Sequence, residues 1–285
     1  MTERKFYGMR NDYMFKAVLQ ESREVLRNLV AVLMGIDEST IDSCEIVNPI
    51  ELGKSMDAKE CILDVKLVLN DTQIINIELQ IRKEASWPER SLLYWSRAFD
   101  CIRSGDDYSL LKPTYHIGIL DFTLFENNPE FYAEYLLMSR NTGKIYTDKI
   151  SMRVLDLSKI ENAREGEEKL VKWAKIFRAK TMAELETLAA GEEVLKSMVA
   201  HIRELSEEEK IRQQCEARED YERRLLTEYR AGERSGIEQG IERGLKQGKE
   251  RGIELTAIKM KKEGIAVSTI VKCTGLTEKQ VLELG

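Results

Sequence analysis

Residues 61–69, "CILDVKLVL", and 73–81, "QIINIELQI", decide the fold. Each alternates aliphatic residues with a polar set, the period of a β-strand. The residues between them, Asn70, Asp71 and Thr72, suit a three-residue turn. Such a turn pairs residues whose numbers sum to 142, and both apolar sets then fall on one face: Leu63, Val65, Leu67, Ile75, Ile77 and Leu79. The other face carries Asp64, Lys66, Asn76, Glu78 and Gln80, with Asp64 directly opposite Glu78. A two-residue turn would send the two acids to opposite faces. Carboxylates placed opposite each other repel. Two readings follow, a hairpin with a solvated polar face, or a site in which a divalent cation sits between the acids. An all-oxygen set of this kind suits Mg²⁺ or Mn²⁺. Gln80 shares the face and can hold a water or a phosphate oxygen.

The next segment bears on that choice. "SWPERSLLYWSRAFDCIRS", 86–104, reads as a helix with Ser86 and Glu89 as a capping box, Pro88 in its first turn and Gly105 beyond its end. Arg90, Tyr94 and Arg97 fall on one face of it, leaving Leu92, Leu93, Phe99 and Ile102 to pack elsewhere. Basic groups beside an acidic metal site are what a phosphodiester needs, so Arg90, Tyr94, Arg97 and Lys66 are the expected DNA-binding residues. Ordinary surface arginines are the alternative. Lys16, His116 and Asp121 are weaker candidates, and His116 reads as a core residue of its strand.

Composition narrows the classes. The 285 residues are 42% hydrophobic and 33% charged, with a net charge of −6, so there is no general attraction to nucleic acid. Five scattered cysteines without a CxxC argue against a disulfide framework or zinc site. Two histidines leave little for histidine-based chemistry. No apolar run reaches the roughly 20 residues of a membrane span, and "MTERKFYGMRNDYMF" lacks a signal-peptide core. The expectation is a cytoplasmic protein without membrane contact.

Helical spacing covers 12–34, read as one helix with Asp12 as N-cap and Gly35 as its stop. "TYHIGILDF", 114–122, reads as a buried strand, and the segments flanking "RNTGK" as a further hairpin. From about 160 to 230 the chain reads as helical. Gly232, Gly236, Gly240, Gly244, Gly248 and Gly252 then recur every four residues, each followed by a residue of a largely aliphatic stripe. Each interior glycine costs a helix about 1 kcal/mol, so this repeat is either an oligomerisation helix or a flexible linker. The last thirty residues read as short helices broken at Gly264 and Gly275, a helix-turn-helix or a small packing module. The expected divisions are 1–160, 161–230, 231–255 and 256–285.

"LDV" at 63–65, "NIELQ" at 76–80 and "RSLLYWSRAFDCIRSGDDY" from 90 resemble the PD-(D/E)XK nuclease superfamily, and more narrowly the transposase-like Rpn proteins, the recombination-promoting nucleases of bacteria. "NDYMFKAVL", "RVLDLSK" and the glycine-repeat tail extend the likeness to nearly the whole chain. The resemblance implies an α/β restriction-endonuclease-like core, a mixed sheet flanked by helices, with a helical C-terminal extension. In chain order it implies a helix, an antiparallel three-strand meander, a helix and a further strand. It also implies Mg²⁺-dependent DNA endonuclease activity linked to recombination or mobile DNA. Asp64 and Glu78 would be the metal-binding and catalytic acids, and Gln80 would stand where the superfamily usually has lysine. A non-catalytic DNA-binding or regulatory protein on the same fold is the alternative. DNA and a homo-oligomer through the C-terminal helices are the expected partners.

Overall fold

The computed structural model describes residues 5–48, 50, 65–102 and 105–284. The chain divides into two compact units, Met1–Tyr221 and Glu222–Gly285.

The first unit is built on a six-stranded sheet. Its strands are β1 (Cys44–Ile46), β2 (Val65–Leu69), β3 (Gln73–Gln80), β4 (Thr114–Leu120), β5 (Tyr132–Tyr135) and β6 (Ile150–Asp156), in the order β1-β2-β3-β4-β6-β5. β1, β2 and β3 form an antiparallel meander. The pairing of β2 with β3 runs from Val65–Ile77 to Leu69–Gln73, and every pair sums to 142 as the alternation predicts. Asn70 and Asp71 turn the chain with positive φ, the backbone that matches the twist of a tight hairpin. A helix, α3 (Trp87–Phe99), then carries the chain across so that β4 lies parallel to β3. β6 adds parallel to β4, and β5 pairs antiparallel with β6, the hairpin expected around "RNTGK".

One face of this sheet is aliphatic. Val65, Leu67, Leu69, Ile75, Ile77, Ile117 and Ile119 are buried there in the main core. That core is shared with α1 (Asp12–Glu21), α2 (Arg23–Met34), α4 (Glu168–Arg178), α5 (Met182–Ala189) and α6 (Glu193–Glu207) through Phe15, Leu29, Phe177, Leu185 and Met198. The other face is covered by α3, which buries Trp87, Ser91 and Ala98 and donates Trp95 Nε1 to the Thr114 carbonyl at 2.9 Å.

Four local expectations are corrected. Residues 12–34 form two helices, because Ser22 is extended: its N–H closes α1 on the Val18 carbonyl and its hydroxyl caps α2 at Val25. Apolar periodicity runs through such a one-residue break without registering it. The N-cap of α1 is Asn11, whose side chain accepts from Met14 N at 3.1 Å, while Asp12 pairs with Arg218 at 2.6 Å. α3 has no capping box, since Ser86 turns to Glu84 and makes no side-chain cap, and it ends at Phe99. Leu92 and Leu93 are exposed rather than packed.

In the second unit the glycine repeat is helical. It belongs to α7 (Glu209–Lys262), a continuous helix of 54 residues, so the linker reading does not hold. α8 (Val267–Thr274) and α9 (Glu278–Glu283) follow, separated by Gly264 and Gly275 at φ of 76° and 74°. Ala257, Ile270 and Val281 form their small core, and Lys261 donates to three carbonyls at the end of α9.

Asn11 serves two partners, capping α1 and donating Nδ2 to the Cys215 carbonyl at 3.1 Å. Asn11→Ala removes both bonds in a buried place, so urea unfolding is expected to show a loss of about 1–3 kcal/mol.

Candidate nuclease site

Glu78 occupies the middle of the sheet. Its strand is hydrogen-bonded on both edges, and Ile77 and Leu79 on either side of it anchor the aliphatic core. Alternation therefore drives the Glu78 carboxylate into the layer beneath α3, where the residue is only 8% exposed.

Two groups meet it there. Arg90, one turn into α3, ion-pairs with Glu78 Oε1. The same guanidinium donates to Gln80 Oε1 at 3.1 Å and to Glu84 Oε2 at 2.6 Å. Gln80 uses its own amide to donate to the Arg82 carbonyl at 3.1 Å. On the far side, His116 Nε2 lies 3.5 Å from Glu78 Oε2.

His116 is there because of strand register. The parallel pairing of β3 with β4 sets Asn76 beside His116 and Glu78 beside Gly118. Asn76 Nδ2 is 3.1 Å from His116 Nδ1, and an amide N–H can only donate, so Nδ1 accepts and the ring proton sits on Nε2. That N–H is on the side of Glu78. His116 has no solvent exposure, and Trp87 packs against its ring with centroids 5.8 Å apart.

Two atoms at the centre, Glu78 Oε2 and His116 Nε2, are buried and make no hydrogen bond. Asn76 Oδ1 beside them is likewise unbonded. A buried carboxylate oxygen without a donor costs free energy unless something positive or hydrogen-bonding reaches it. Its chemistry fits a hard divalent cation. Among the described residues, however, no cluster of three or more His, Cys, Asp or Glu groups is arranged to hold a metal.

Of the residues singled out from the sequence, Glu78, Gln80 and Arg90 come together. Tyr94 lies beside them, its ring 5.9 Å from the Arg90 guanidinium. Arg97 is exposed on α3 and Lys66 is half-buried on β2, paired in register with Asn76. Asp64 lies outside the described residues. Asp121 instead ion-pairs with Arg10 at 2.6 Å. Sequence reasoning placed Asn76 on the site face without a role, missed Glu84 and Trp87, and undervalued His116. The face shared by Asn76 and Glu78 was readable; the β4 register that brings His116 to it was not.

Gly118 has a specific steric reason. A Cβ there would lie 2.7 Å from Trp87 Cη2, inside the ring's van der Waals envelope. The indole is therefore seated on bare backbone, which lets α3 come close enough for Arg90 to reach Glu78.

This geometry is that of a mixed six-stranded sheet with a buried acid at its centre. A model of the PD-(D/E)XK nuclease family transposase matches residues 9–227, and the chain belongs to that family. No curated protein and no solved structure matches it significantly. No helix among the described residues is long and apolar enough to cross a membrane.

Gly118→Ala should overpack the Trp87 seat. A stability loss of about 1–3 kcal/mol is expected in denaturant titration, since Trp87 is itself buried and has no free space to take.

Proposed function

We propose that the chain is a divalent-metal-dependent DNA endonuclease that hydrolyses phosphodiester bonds, with Glu78 as one metal-binding acid and Asp64 as the other. The observation that carries this reading is the buried Glu78 carboxylate with one oxygen bonded by Arg90 and the other left without a donor. The pairing sum of 142 observed from Val65–Ile77 to Leu69–Gln73 is the register on which the expectation for Asp64 rests.

Mg²⁺ or Mn²⁺ held by the two acids would supply a hydroxide nucleophile and neutralise charge developing on the phosphate. The protein's own residues prepare that site. Asn76 holds the His116 ring so that its Nε2 faces Glu78 Oε2 at 3.5 Å. Gln80 is held by Arg82 and Arg90, so its amide is pre-oriented beside the acid for a water or a phosphate oxygen. Arg90 balances the buried charge of Glu78. Arg90, with the Tyr94 ring beside it and Arg97 and Lys66 further along, would supply the cationic groups that hold the DNA backbone. Cytoplasmic action on recombining or mobile DNA is the setting this reading implies.

Plasmid nicking with Mg²⁺ or Mn²⁺ tests the reading. Asp64→Ala and Glu78→Ala are each expected to lower cleavage at least about 100-fold, with circular dichroism unchanged. Equal cleavage by all three proteins would remove both residues from the site. Arg90→Ala should tighten Mn²⁺ binding severalfold in calorimetry, because a competing cation is gone, and yet slow cleavage.

One observation favours a second reading, a non-catalytic DNA-binding protein on this fold: Gln80 is neutral where a cation would stabilise the transition state best. Retained DNA affinity with no calorimetric Mn²⁺ binding would select it.

A further inference from the structure

β3, β4 and β6 run parallel, so their carboxyl ends open at one end of the sheet, where sheets of this kind take their ligands. Glu78 and Gln80 lie at that end of β3. One residue past β4, Asp121 donates its N–H to the Gln80 carbonyl at 3.0 Å. Its carboxylate ion-pairs with two guanidiniums, Arg10 at 2.6 Å and Arg178 at 3.7 Å. Arg178 also donates to the carbonyl of Leu157, just past β6, at 3.2 Å. Two cations on one carboxylate leave a positive charge over at the strand ends. Both side chains stay open to solvent, 45% and 50% exposed.

The charge continues away from the sheet. A groove of about 670 Å³ runs between α4 and α5, lined in part by Lys175, Arg178 and Lys180. These three are exposed, while Ile176, Phe177 and Ala179 interleaved with them are buried in the main core, so packing turns the cations outward together. Among the described residues neither lysine side chain has an acidic partner. One lining residue is acidic, Glu184, and its Oε2 already accepts from the Lys180 backbone N–H at 2.7 Å. Cations in the last turn of a helix complement its dipole, which accounts for Lys175 and Arg178. It does not account for Arg10, ahead of α1, or for Lys180, past the end of α4. Arg10, Lys175, Arg178 and Lys180 outnumber Asp121 and Glu184, a local reversal of sign in a chain of net charge −6.

We propose that this strip, from Arg10 and Arg178 at the strand ends along Lys175 and Lys180, carries the phosphate backbone of DNA away from the Glu78 centre. Ammonium and guanidinium groups on a surface hold phosphate oxygens without reading base edges, so the strip positions the duplex and does not select a sequence. The proposal rests on the nuclease reading for the choice of DNA as the polyanion, and on none of the residues assigned to metal.

Fluorescence anisotropy of a labelled DNA duplex with the full chain, in EDTA so that nothing is cut, tests it. Lys175→Gln with Lys180→Gln is expected to weaken binding about tenfold and to flatten the slope of log Kd against log salt by about 2, the share of two phosphate contacts. Arg140→Gln with Lys144→Gln removes the same charge from the exposed β5–β6 hairpin, at the opposite end of the sheet, and should leave affinity and slope as they were. No DNA binding by the natural chain, a groove variant that binds like the natural chain, or an equal loss in both double variants would each overturn the proposal. If only the groove variant loses affinity, and the natural chain cleaves no plasmid with Mg²⁺ or Mn²⁺, the strip stands and the nuclease reading falls.

Discussion

A strand with no free edge and no free face dictates most of the first unit. β3 pairs antiparallel with β2 and parallel with β4, so its backbone groups are satisfied within the sheet. Its odd positions, Ile75, Ile77 and Leu79, belong to the helical side of the core. Its even positions must then be covered too, and they include Asn76 and Glu78. Burying an unpaired carboxylate is expensive enough that the covering helix has to bring a cation with it. α3 does so with Arg90, and everything near it follows: Trp87 on Gly118, Trp95 on the Thr114 carbonyl, Glu84 and Gln80 on two further guanidinium N–H groups.

That constraint also separates a structural ion pair from a functional site. A pair kept for stability alone would be expected to have its lone pairs satisfied, since breaking even is the best a buried salt bridge ordinarily does. Here one carboxylate oxygen is paired and the other is not, and the nearest donor, His116 Nε2, stands 3.5 Å away without closing a bond. The sheet thus keeps an under-coordinated acid at its centre, flanked by an imidazole whose tautomer Asn76 fixes.

The sequence made the β2–β3 hairpin legible because two independent constraints agreed. The turn length set the register, and only that register put both aliphatic sets on one face. The meander, the crossover helix and the parallel β4 could be expected from resemblance. The contact between Asn76 and His116 could not, because residues forty apart meet through a parallel register that no local signal encodes. The break at Ser22 was hidden for the opposite reason: it is so short that α1 and α2 keep a continuous apolar face across it. The missing capping box at Ser86 shows the limit of a short motif, since Glu84 two residues earlier competes for the same hydroxyl.

The glycine repeat raises the same kind of question in one dimension. Propensity alone argues against a helix there, yet α7 runs unbroken through all six glycines. Its C-terminal end is anchored where Ala257 meets Ile270 and Val281 and Lys261 ties down α9. Such anchoring explains why the helix starts and stops where it does. Each glycine costs the helix about 1 kcal/mol against alanine, so the segment is held by its ends rather than by its own propensity: Ile211 and Cys215 are buried in the main core near one end, and Ala257 in the small core near the other.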